Sequence, residues 1–208
     1  MFVLGAATMS RAQEVGPALG QADATRVMQD FGACFASRQP HVENLLNTVP
    51  GSADEDAIVS KAAHSDCLDG AVSSKLRFNA HALRGPIVEA LLKRDFDIAT
   101  GVQRKATVAR TYALPDAAAP ARQFMPFNAM VALVAFGQCV QKGDPTATLA
   151  VFRTKVESKQ ERAAMATLQP ALNKCLEAGG SFRMTPFEMR GYLAEGSYRN
   201  LASGDGHG

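Results

Sequence analysis

The sequence predicts an all-α protein made of two tandem copies of a four-helix unit, each closed by one internal disulfide and packed pseudo-symmetrically. Three observations predict it. Phe31-Gly32-Ala33-Cys34 returns 105 positions later as Phe136-Gly137-Gln138-Cys139, and Pro40 returns as Pro145 at the same offset. The four cysteines fall two per copy, Cys34 and Cys67, then Cys139 and Cys175. Apolar residues recur at spacings of three and four in segment after segment, the period of one helix face. Two further offsets complete the alignment. Offset 108 pairs Cys67-Leu68 with Cys175-Leu176, and offset 106 pairs Arg77, Arg84-Gly85 and Glu89 with Arg183, Arg190-Gly191 and Glu195. The offset changes fall where helices end, where insertions are tolerated.

The first copy spans residues 22–95. Asp23 is placed to cap a helix running to Arg38, with Val27, Met28, Phe31, Cys34 and Phe35 on one face. Gly32 inside that helix costs about 1 kcal/mol relative to Ala, which points to close approach by another backbone. Pro40 opens a short helix with Val42, Leu45 and Leu46 inward, stopped by Pro50-Gly51. A third helix follows Ser52 and runs to Cys67-Leu68. Leu76-Arg77-Phe78 is short and extended, and Asn79 caps a fourth helix carrying Leu83, Ile87, Val88, Leu91 and Leu92, with Pro86 inside it.

The second copy, residues 128–201, repeats this order. Asn128 is expected to cap a helix through Met130, Leu133, Val134, Phe136 and Val140, apolar nearly all round and so expected to be the most buried element. The copies are expected to pack through this helix and its counterpart. Asp144-Pro145 is a cap followed by Pro at the first helical position. Ser158-Lys159-Gln160-Glu161 has the pattern of a capping box opening the longest helix, through Met165 and Leu172 to Cys175-Leu176. Phe182-Arg183-Met184 matches the earlier extended segment. Thr185-Pro186-Phe187-Glu188 opens the last helix. Residues 96–127 form a connector carrying Arg104, Lys105, Arg110 and Arg122, and residues 202–208 form a disordered tail.

With 47% hydrophobic and 20% charged residues the chain is a folded globular type. A net charge of +2 is too small to imply nucleic acid as a partner, and no stretch reaches the ~20 apolar residues of a membrane span. Met1 to Thr8 is apolar and Ser10-Arg11-Ala12 supplies a small-x-small site, so residues 1–12 read as the end of a signal peptide. Export to the periplasm or outside the cell suits the even, paired cysteines.

The chemistry-bearing motif is the repeated Arg-Gly-x-x-x-Glu, Arg84-Gly85 with Glu89 and Arg190-Gly191 with Glu195. Five positions apart on a helix, the Arg and Glu point about 140° apart and do not face each other. As a site, Arg84 and Arg190, with Arg77 and Arg183, would hold an anion while Glu89 or Glu195 acts as acid or base. As architecture, each Gly admits a neighbouring helix while Arg and Glu tie helix ends or loop carbonyls. Duplication favours architecture, because an active site rarely needs both copies. The histidines are His41, His64, His81 and His207, none with a His partner at ligand spacing; the second copy has Phe187 opposite His81. Neither a nucleophile-elbow Ser nor a phosphate loop is present, and no cofactor or metal is implied. The expected function is a non-enzymatic exported module binding a protein or small molecule. The alternative is a hydrolase-like enzyme with an Arg/Glu site in a crevice between the copies.

Overall fold

Short-range capping chemistry sets four of the helix starts. Ser52, Asp144, Ser158 and Thr185 each accept, on the side chain, the backbone N–H of the residue three further on. They open α2 (Ala53–Val59), α5 (Pro145–Phe152), α6 (Lys159–Thr167) and α8 (Pro186–Ser203). At Thr185 the box closes fully, with Glu188 reaching back to the Thr185 N–H. The remaining helices are α1 (Gln21–Arg38), a 3-10 helix (Val42–Asn47), α3 (Ala80–Asp95), α4 (Phe127–Gly143) and α7 (Gln169–Cys175). This is a computed structural model describing residues 20–61, 67, 80–104, 127–176 and 183–204. Among them no strand occurs, only an isolated antiparallel bridge between Phe96 and Gln103.

Several boundaries differ from expectation. Asp23 does not cap α1: the helix begins two residues earlier after Gly20, and Asp23 sits in its first turn, paired with Arg26 at 2.8 Å. There the carboxylate still meets the positive end of the helix. Asn128 likewise lies inside α4, which starts at Phe127. The segment after Pro40 is 3-10, entered through His41 in the left-handed region at φ 58°. The expected long helix after Ser158 breaks at Leu168 into α6 and α7, because Pro170 in the first turn of α7 has no N–H to continue the ladder. The leader 1–12, Leu76-Arg77-Phe78, Asn79, His64, connector residues 105–126 and the tail from Asp205 lie outside the described residues. Phe96, placed at the start of the connector, is fully buried, and Arg104 turns back to pair with Asp97 at 2.9 Å.

Packing runs in the order α1, α3, α8, α4. The expectation that the two apolar helices α1 and α4 form the central interface is overturned. They lie on the outside, and α3 crosses α8 in the middle. Glycines permit all three crossings. A Cβ on Gly32 would run into Pro86 of α3, and one on Gly137 into the Tyr192 carbonyl of α8. At the centre, a Cβ on Gly85 would lie 2.7 Å from the Gly191 Cα.

The most buried helix is accordingly α8, not α4. From Tyr192 to Leu201 every residue of α8 is buried, including Glu195, Arg199 and Asn200. α4 leaves Ala132, Ala135 and Cys139 exposed. Apolar composition predicted the wrong helix because polar side chains, when paired, are as buriable as apolar ones. Phe31, Phe35, Leu45, Leu46, Leu83, Ile87 and Leu91 from the first half share one continuous core with Phe136, Val140, Leu149, Phe152 and Leu193 from the second. Cys34–Cys67 and Cys139–Cys175 are both bridged, each with Cα atoms 5.8 Å apart. Among the described residues no helix is long and apolar enough to cross a membrane.

Candidate functional site

The α3–α8 crossing brings the two Arg-Gly-x-x-x-Glu segments together. Because Arg and Glu point apart on their own helix, each finds its partner on the other one. Arg84 clamps Glu195 with Nε–Oε2 at 2.6 Å and Nη2–Oε1 at 2.7 Å. Arg190 clamps Glu89 in the same bidentate way, Nε–Oε2 at 2.6 Å and Nη2–Oε1 at 2.7 Å. All four side chains are buried.

Each guanidinium also closes a helix end. Arg84 donates to the Thr48 carbonyl at 3.0 Å and to its hydroxyl at 3.1 Å, past the 3-10 helix. Arg190 donates to the Thr154 carbonyl at 3.0 Å and its hydroxyl at 3.2 Å, past α5. These are orphan carbonyls that a helix C-terminus must otherwise give to water. A further cation one turn along joins each Glu: Lys93 on Glu89 at 2.6 Å and Arg199 on Glu195 at 2.7 Å. Every member of one set lies 106 positions from its counterpart in the other: Thr48 and Thr154, Arg84 and Arg190, Glu89 and Glu195, Lys93 and Arg199.

The electrostatics follow from this geometry. Burial pushes the Glu195 carboxyl up, but Arg84 and then Arg199 outweigh it and hold its pKa at about 2. At Glu89 burial is likewise overcome, by Arg190 first and Lys93 second, and the pKa falls below the ordinary value. Both carboxylates stay ionised at neutral pH with their oxygens committed to cations. Neither is poised to take or give a proton near pH 7.

The two sets differ in the outer cation, Lys93 in one and buried Arg199 in the other, and in the glutamate beside each arginine. Glu161 accepts from Arg190 Nη1 at 2.7 Å. Its counterpart Glu55 stands 3.8 Å from Arg84 Nη1, with Oε1 3.6 Å from His81 Nδ1. Glu55 is fully buried, its other oxygen taken by the Gly51 N–H. His81 Nε2 in turn shares a hydrogen bond of 3.1 Å with the Tyr192 hydroxyl, linking α3 to α8. A cleft of about 310 Å³ opens beside this pair, over the Gly85–Gly191 crossing. His81, Pro86, Phe187, Glu188 and Tyr192 form much of its wall, with Arg84 and Glu195 also in the lining. Burial raises the Tyr192 phenol to about 12, helped by the Glu188, Glu195 and Glu55 carboxylates.

Of the residues singled out from sequence, Arg84, Glu89, Arg190 and Glu195 converge. Arg183 is exposed before α8 and Arg77 lies outside the described residues. Sequence reasoning missed Thr48, Thr154, Glu55, Lys93 and Arg199 as partners. One signal was present: Ser52-Ala53-Asp54-Glu55 stands 106 positions before the capping pattern Ser158-Lys159-Gln160-Glu161. Nothing local to Thr48 or Lys93 marks it, since its role is to answer a side chain from another helix. Among the described residues no group of three or more His, Cys, Asp or Glu side chains is arranged to hold a metal ion. Searches against protein-family models, curated proteins and solved structures find no match to this chain.

Proposed function

We propose that this protein is an exported, non-enzymatic binding module built from two copies of one helical unit, and that its ligand enters the cleft over the Gly85–Gly191 crossing. The single observation that carries a binding role is that cleft: about 310 Å³, at the lower end of small-molecule sites, with polar groups converging on partly apolar walls.

Duplication is supported by the two matching ionic sets, in which arginines, threonines and glutamates recur with the same partners. Under a pseudo-two-fold relation the cleft lies on the axis, and its walls come from equivalent positions of α3 and α8. The polar groups of the wall are the exception, and Ala82 stands where symmetry would put a second Glu188. Phe187 stands where symmetry would put a second His81, and Pro86 where it would put a second Tyr192. Shared architecture needs both copies, whereas a ligand site needs one. The unduplicated residues are therefore where binding has been specialised.

A hydrolase using Glu89 or Glu195 would need one of them protonatable near neutrality. Their lowered pKa values and bidentate arginine partners favour a scaffold role instead. Export is supported by the two disulfides, which persist in oxidising compartments.

The test is a fragment screen read by amide NMR on the full oxidised chain. Hits are expected to shift the Gly85 and Gly191 amides. Hits that cluster elsewhere overturn the cleft. Turnover of an ester or phosphate panel that disappears in Glu195→Gln overturns the non-enzymatic role.

A further inference from the structure

The cleft's wall carries a charge and ring pattern that selects among ligand classes. We infer that it takes a small organic cation, an alkylammonium group packed among the Phe187, Tyr192 and His81 rings with Glu188 as counter-charge. The inference deepens the cleft reading above and rests on it.

The charges in the lining do not balance. Arg84 is spent on the bidentate pair with Glu195 and on Thr48, so its charge is neutralised within the scaffold. Glu188 has no such partner. Its Oε2 accepts from the Thr185 N–H at 2.7 Å and the Thr185 hydroxyl at 2.9 Å, both neutral donors. Glu188 forms no ion pair among the described residues, and its side chain is exposed at the cleft. Behind His81, the fully buried Glu55, 3.8 Å from Arg84, balances Arg199, the second cation on Glu195, so the uncompensated charge of the wall is that of Glu188. The upward shift of Tyr192 reports the same field: after burial, three carboxylates act on its oxygen and one arginine opposes them.

A cation entering this space gains from Glu188 and from the ring quadrupoles of the aromatic walls, an attraction that strengthens as water is excluded. An anion meets carboxylates instead. At the start of α8 the donors are few, since Pro186 carries no N–H and the Thr185 and Glu188 N–H groups are satisfied by each other's side chains. The small volume restricts the ligand to a few non-hydrogen atoms beyond the charged head.

Three compounds of one shape separate charge from fit: choline, its neutral isostere 3,3-dimethylbutan-1-ol, and the anionic 3,3-dimethylbutanoate. Each is titrated into the full oxidised chain while the Gly85 and Gly191 amides are followed. Choline is expected to bind roughly tenfold tighter than the alcohol, and the anion more weakly than either. Glu188→Gln retains a capping box, since Gln closes one as Glu does. It is expected to weaken choline about threefold and leave the alcohol unchanged. Equal binding of all three at the cleft overturns the cation and leaves the cleft standing. Choline unaffected by Glu188→Gln overturns Glu188 as counter-charge. No shift at Gly85 or Gly191 with any of the three overturns the cation, and an empty fragment screen there would overturn the cleft as well.

Discussion

Replacing Arg84 by Met tests the ionic scaffold at its most quantifiable point. Glu195 has an ordinary pKa of 4.5 and a folded value of about 2. At 1.36 kcal/mol per pKa unit, its ionised form contributes about 3 kcal/mol of stability. The sign is that of a depressed carboxylate: the contribution is complete above pH 4.5 and is lost as pH falls through 2. Arg84→Met removes the bidentate pair and the two bonds to Thr48, but Arg199 still reaches Glu195 at 2.7 Å. The expected loss at pH 7 is therefore about 3 kcal/mol, the low end of the 3–5 kcal/mol for a broken buried pair. Arg190→Met should cost about 1 kcal/mol more by the same principle. It leaves Glu89 with only Lys93, whose side chain is 41% exposed, and leaves buried Glu161 without its cation. Urea unfolding followed by circular dichroism at pH 7 and pH 3 measures both. The wild-type advantage should shrink at pH 3, where the Glu195 carboxyl is largely protonated in the unfolded chain and still ionised in the folded one. A loss below about 1 kcal/mol at pH 7, or one unchanged at pH 3, would refute the claim that these pairs hold the helices together.

Two further outcomes follow from packing and covalent structure. Gly85→Ala puts a Cβ 2.7 Å from the Gly191 Cα, against backbone that cannot swing aside. Overpacking of about 1–3 kcal/mol should outweigh the ~1 kcal/mol that Ala gains in an exposed helix, so a higher Tm in a thermal melt would refute the close crossing. Removing Cys139–Cys175, which closes a separation of 36 residues, should cost about 4 kcal/mol on the chain-entropy account. Unfolding at matched conditions measures it, and a non-reducing digest should yield Cys34 joined to Cys67 and Cys139 joined to Cys175; any bridge between the halves contradicts the fold.

Periodicity, caps and the repeated Phe-Gly-x-Cys string specify an all-helical chain, the starts of α2, α5, α6 and α8, and both cysteine pairings. These features are legible because a cap, a turn or a helix face is a relation among residues a few positions apart. Gly32 and Gly137 were readable for the same reason: a glycine retained inside a helix announces a close neighbour without naming it. The identity of the neighbour was not readable. Which helices meet, that α8 with its Arg190, Glu195 and Arg199 is more buried than apolar α4, and that Arg84 answers Glu195 and not Glu89 all depend on contacts across more than a hundred positions. Burial of a charge is decided by whether a partner arrives, and the partner arrives only when the helices have crossed. The His81–Tyr192 pair belongs to the same class. Two unremarkable residues 111 positions apart become the wall of a cleft because two glycines let their helices touch.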